Sequence, residues 1–182
     1  MCIKVKINYF IIKNASFLSI LQDKYCNILK GKNIERKMVL GTKKENVKYK
    51  KRPGVYVIIT RKNAEEVAIC YDGDYFFFGG GIEKRETKKK ALKRELLEET
   101  GYTLKNKSKF MQVTAYVNKG TRGPLKVKST IYIAEFDKKV CKPVEKDHKV
   151  SWIKPEEYIG KLYHAYQNKV LEKYCQTKKK KR

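Results

Sequence analysis

Three glutamates, Glu95, Glu98 and Glu99, stand at i, i+3 and i+4 in a stretch whose patterning predicts a helix over Thr87–Thr100. At about 100° per residue, that spacing puts three carboxylates on one arc of one helix. As helix design the arrangement is poor. Like charges three and four residues apart repel, and acids in the last turn oppose the helix dipole. Lys88, Lys89 and Lys90 sit at the N-terminal end, where positive charge is also unfavourable. Each penalty is a few tenths of a kcal/mol, and repeated rule-breaking at one place points to a functional site. A divalent cation turns such repulsion into binding, and hard magnesium prefers carboxylate oxygens. An exposed, charge-laced helix without a ligand is the competing reading.

The flanking residues favour the cation. Gly79-Gly80-Gly81 follows an aromatic strand, and a glycine turn lets backbone approach a phosphate or a metal. Glu86 lies eight residues before Arg94 and can pair with it, fixing the turn against the helix. Leu92 and Leu96 supply a buried stripe beside the carboxylate arc, Thr87 is an N-cap and Gly101 a natural C-terminal stop.

From Gly80 to Tyr102 the chain reads GGIEKRETKKKALKRELLEETGY. This resembles the Nudix box, G-x5-E-x7-R-E-U-x-E-E-x-G-U with U a bulky apolar residue. Gly80, Glu86, Arg94, Glu95, Leu96, Glu98, Glu99 and Gly101 fill the fixed positions, and Tyr102 departs softly from the usual aliphatic residue. A Trp-containing strand, Ser151-Trp152-Ile153, leading into Pro155-Glu156-Glu157 extends the likeness, so that residues 48–176 resemble bacterial MutT-type Nudix proteins. The resemblance implies an α/β Nudix fold, an α/β/α sandwich with a mixed central β-sheet. It implies hydrolysis of a diphosphate linkage in a nucleoside diphosphate joined to another moiety. Glu95, Glu98 and Glu99 would hold magnesium or manganese, with the Gly79 carbonyl a further ligand. Gly80, Glu86, Arg94 and Gly101 would serve the structure of the box. The proton of the attacking water would go to a box glutamate or to an acid on a later loop, for which Glu145 and Asp147 are the candidates. Arg52 and Arg122 are candidate phosphate contacts, although solvated surface is the simpler role for each. His164, at the start of a closing helix, is expected on the surface, and Cys70 and Cys175 as small buried hydrophobes.

Several elements must position this constellation. Val55–Thr60 and Val67–Tyr71 read as strands, Asp72-Gly73 as a turn and Tyr75–Phe78 as a strand that the glycines end. Strands Phe110–Val117 and Ser129–Phe136 flank a loop at Gly120–Pro124, Val150–Ile153 is a short strand, and Tyr163–Cys175 is helical. Residues 38–177 form the expected domain and 178–182 a basic tail. Residues 1–37 lack a persistent period and read as an extension, with Met38 an alternative start.

The chain has 182 residues, enough for one domain. Its 44 basic residues against 19 acidic ones give +25, yet only seven are arginines. Nucleic-acid readers lean on arginine, so scattered lysine does not favour a nucleic-acid partner. Five dispersed cysteines without a C-x-x-C pair argue against a disulfide framework or a zinc site, and fit a reducing cytoplasm. No apolar run approaches the roughly 18 residues of a membrane span. A small nucleotide-type substrate is expected, and the family resemblance is compatible with a homodimer. Two alternatives stand beside the hydrolase: a catalytically silent nucleotide-binding domain, and an RNA 5′-end pyrophosphohydrolase supported by the charge alone.

Overall fold

The computed structural model describes residues 36–118, 123–145 and 147–179; the readings for residues 1–35, Arg122 and the end of the basic tail lie outside them. Eight strands form one mixed sheet: β1 (Lys37–Leu40), β2 (Lys50–Arg61), β3 (Glu66–Asp72), β4 (Asp74–Phe76), β5 (Phe78–Gly81), β6 (Tyr102–Val117), β7 (Leu125–Lys139) and β8 (Lys149–Ile153). Helix α1 (Lys88–Thr100) follows β5 and helix α2 (Ala165–Lys179) closes the described chain. Strand order is β1-β6-β7-β2-β3-β4, with β5 beside β2 and β8 beside β3. β1 on β6 and β7 on β2 are parallel, and the remaining pairs are antiparallel.

Each face of the sheet carries its own core, as alternation along the strands requires. Val55, Val57 and Ile59 of β2 point to one side and meet Ala91, Leu92 and Leu96 of α1. Ile58 points to the other and meets Val170, Leu171 and Tyr174 of α2. The result is the expected three-layer α/β sandwich.

Three elements differ from the sequence reading. Gly79–Gly81 do not end a strand but form most of β5, pairing with Gly54–Tyr56 of β2. The break falls two residues earlier, at Phe77, and the adjacent Phe77 and Phe78 are both buried, on opposite faces of the sheet. The β6–β7 pair is much longer than its apolar runs, because ladder hydrogen bonds continue through Lys- and Asn-rich stretches and three register shifts. Among the described residues no helix is long and apolar enough to cross a membrane.

Candidate active site

Helix α1 begins on Thr87, whose side chain accepts from the Lys90 N–H at 3.3 Å, and ends on Gly101 at φ 75° with its N–H donating to Leu97 O. A Cβ at Gly101 would lie 2.1 Å from the Cys141 carbonyl, so this stop needs glycine twice over. The Gly101 carbonyl accepts from the Val140 and Cys141 N–H groups, while the Glu98 carbonyl accepts from Val144 and Glu145. The loop before β8 is thereby hydrogen-bonded to the acidic end of α1, and it brings Glu145 to the box glutamates.

Glycine also explains how closely α1 approaches the sheet. A Cβ on Gly80 would stand 2.6 Å from the Glu95 carboxylate. Gly79 has φ 118° and its Cβ would meet the Val55 carbonyl at 2.3 Å. Its N–H donates to Glu99 Oε2 at 2.9 Å. On the far side of the sheet the buried Gln167 of α2 accepts from Phe77 N–H at 3.0 Å, holding the corner from which β5 starts.

Arg94 ties the parts together. Its Nε and Nη2 donate to both oxygens of Glu86, at 3.1 and 3.0 Å, and Nη2 also donates to the Gly81 carbonyl at 3.1 Å. Nη1 reaches Glu95 at 2.9 Å and Glu98 at 3.2 Å. Glu86 is held below the ordinary carboxylate range by that pairing. Arg94 therefore orients carboxylates and does not face the cleft alone.

The remaining carboxylate charge is poorly compensated. Burial pushes Glu99, 6% exposed, up to about 9, against the Gly79 N–H bond that favours its anion. Glu145, Glu95 and Glu98 push it in the same direction as burial does. Burial raises Glu95 as well, Arg94 opposing. A hard divalent cation fits this donor set: three carboxylates converge with one guanidinium among them, and the innermost resists ionising until positive charge arrives.

Around the cluster, His148 Nδ1 lies 2.6 Å from Glu145 Oε2 and 3.6 Å from Glu99 Oε1, and its Nε2 is 3.6 Å from Asp72 Oδ2. Cys70 of β3 is buried beside them; desolvation first, then Glu99, Asp72 and Glu145, push its thiol up to about 12. A cavity of about 390 Å3 opens between Glu99, His148, Tyr102, Phe136, Lys139 and Trp152. Sequence reading gave Asp72 only as a turn residue, Cys70 only as a hydrophobe and His148 no role. The spacing of Glu145 and His148 shortly before Trp152 was the available signal.

Other candidates fall elsewhere. Arg52, exposed at the start of β2, acts electrostatically on Tyr56 and His164. His164 is not a surface residue: it is half-buried, stacked on Tyr166 at 5.3 Å and packed edge-on against Phe76, and burial lowers its affinity for a proton. Asp147 lies in the same loop as Glu145, and Cys175 is buried against α2's core side.

Comparison with known proteins agrees with this geometry. The family model of the NUDIX domain matches residues 50–174. No curated protein matches the chain. Among solved structures, a NUDIX hydrolase from Nitrosomonas europaea is similar with TM-score 0.58 at 15% identity, over 70% of this chain and 90% of that one. A MutT protein from Bacillus halodurans follows with TM-score 0.55 at 19% identity, over 66% and 80%. One from Methanosarcina mazei Go1 has TM-score 0.51 at 18%, over 74% and 99%. At such identities these likenesses speak for the fold, whereas the domain match spans most of the sequence and includes the whole glutamate helix. The chain belongs to the Nudix family, hydrolases that act on pyrophosphate bonds.

Proposed function

We propose that this protein hydrolyses the diphosphate linkage of a nucleoside diphosphate joined to another moiety. Glu95, Glu98 and Glu99, with the Gly79 carbonyl, would hold magnesium or manganese. When bound, the cation supplies positive charge to the phosphoryl oxygens and acidifies a coordinated water. The observation that carries this reading is the convergence of Glu95, Glu98, Glu99 and Glu145 on one partly buried point, where burial and mutual repulsion hold Glu99 near 9.

The chain's own residues have separate tasks. Arg94 keeps Glu95 and Glu98 from turning away, through contacts at 2.9 and 3.2 Å. Gly79 N–H fixes one oxygen of Glu99 and leaves the other free to bind. Glu145, whose backbone N–H donates to the Glu98 carbonyl and whose carboxylate lies 2.6 Å from His148 Nδ1, is our candidate to accept the water's proton. Arg52, at the mouth of β2, is our candidate for a substrate phosphate contact. Three free thiols among the described residues, Cys70, Cys141 and Cys175, suit a reducing cytoplasm.

The test is phosphate or pyrophosphate release from a panel of nucleoside diphosphate derivatives with magnesium, comparing wild type and Glu98→Gln. Turnover that falls at least ~10²-fold in the variant supports the reading. Nucleotide binding without turnover of any compound would replace it with a silent binding domain.

A further inference from the structure

The inner side of the carboxylate cluster differs chemically from its mouth. Magnesium wants oxygen alone, but Cys70 Sγ, a Glu99 oxygen and a His148 ring nitrogen all lie within 4.8 Å of one another. The three come from separate elements: β3, α1 and the loop before β8. Glu145 Oε2 stands 2.6 Å from His148 Nδ1 and so borders the group without belonging to it. Glu99 divides its oxygens, Oε2 on the Gly79 N–H and Oε1 toward His148.

We propose that Cys70, Glu99 and His148, with a water in the fourth position, form a second metal site, selective for zinc or another thiophilic divalent cation. Sulfur, imidazole and carboxylate together are zinc's ligand set, with bonds of about 2.0–2.3 Å that place tetrahedral ligands about 3.3–3.8 Å apart. Cys70 and Glu99 are fixed by burial, at 1% and 6% exposure, so the loop-borne His148 closes the remaining gap. On binding, the thiol gives its proton to solvent and its sulfur to the metal. The cavity of about 390 Å3, lined by Glu99 and His148, supplies an entry path.

Sharing Glu99 gives the site a consequence. Zinc here withdraws one carboxylate from the three-glutamate set, so it inhibits the magnesium-dependent reaction by competition for a ligand. The site itself does not depend on the hydrolase reading, because its occupancy has a direct spectroscopic signature.

The experiment titrates reduced, EDTA-treated full-length protein with cobalt(II), zinc's spectroscopic stand-in. The expected result is a near-ultraviolet thiolate-to-cobalt absorption that saturates at one equivalent and bleaches on adding zinc. In Cys70→Ala that band disappears although the other four cysteines remain, and zinc inhibition of turnover weakens at least ~10-fold. If Cys70→Ala does not fold, His148→Asn must lower cobalt affinity at least ~10-fold. No band in the wild type, a full band in Cys70→Ala, or unchanged affinity in His148→Asn each overturns the site. A cobalt band with no turnover of any nucleotide would sink the hydrolase reading and leave this one standing.

Discussion

Replacing Glu99 by glutamine tests the electrostatic account of the site without any substrate. The amide oxygen keeps the bond from the Gly79 N–H and the volume is unchanged, so only the ionisable group is lost. In the folded metal-free protein the Glu99 carboxyl ionises near 9; in the unfolded chain it returns to its ordinary 4.5. Between those values the folded state binds a proton that the unfolded state has released. Folding stability therefore falls as pH rises, by up to about 1.4 kcal/mol per pH unit, and this contribution is fully lost above about 9. Glutamine has no such slope. From about pH 6 to about pH 8, wild type should lose roughly 2–3 kcal/mol relative to Glu99→Gln, about 5–10 °C in Tm for a chain of this length. The assay is thermal unfolding of both proteins in EDTA across that range, where groups common to both cancel in the difference. Magnesium at about 100 times its Kd should then restore about 2.7 kcal/mol to wild type at the upper pH, and much less to the variant. Parallel pH–stability curves for the two proteins would refute the reasoning.

Three further perturbations separate positioning from packing. Gly80→Ala puts a methyl 2.6 Å from the Glu95 carboxylate, the movable end of a side chain, so turnover should drop about 10²-fold while unfolding shifts by less than about 2 kcal/mol. Arg94→Lys loses the two-point grip on Glu86 and cannot reach Gly81, Glu95 and Glu98 together; thermal unfolding should show a loss of about 1–3 kcal/mol, and turnover should fall with it. Leu96→Ala empties a site 1% exposed under α1 and should cost about 2–5 kcal/mol by urea unfolding, with KM near wild type for the fraction that remains folded.

The glutamate helix was legible because its signals are local. Capping by Thr87, the stop at Gly101, the Leu92–Leu96 stripe and the carboxylate spacing all lie within fifteen residues. Strand β5 was not, since three glycines read as a break when only the neighbouring chain is considered. They become a strand because Gly54–Tyr56 lie alongside and α1 lies above, with no room for a Cβ on Gly80. Strand β1 was hidden for a related reason: four residues, Lys37–Leu40, become a strand through parallel pairing to β6, some seventy positions away. His164 was misplaced by its polarity; the rings of Phe76 and Tyr166 that enclose it come together only when α2 docks. The grouping of Cys70 with His148 is likewise a product of the β3–β8 register, which sets Cys70 opposite Val150.

The same long-range pairing resolves the puzzle of the helix itself. In isolation α1 is electrostatically inverted, with lysines at its positive end and glutamates at its negative one. In the fold, the loop before β8 delivers four backbone N–H groups, from Val140, Cys141, Val144 and Glu145, to the carbonyls of Glu98 and Gly101. Those donors satisfy carbonyls that would otherwise add their negative partial charge to the cluster. Arg94 then neutralises part of what Glu86, Glu95 and Glu98 contribute. Glu99 and Glu145 lie beyond these contacts, and both face His148. The fold thus stabilises the helix enough to stand while leaving its deepest acid in want of a cation. Complete neutralisation by protein groups would have made a more stable helix and removed the electrostatic reason to bind a metal.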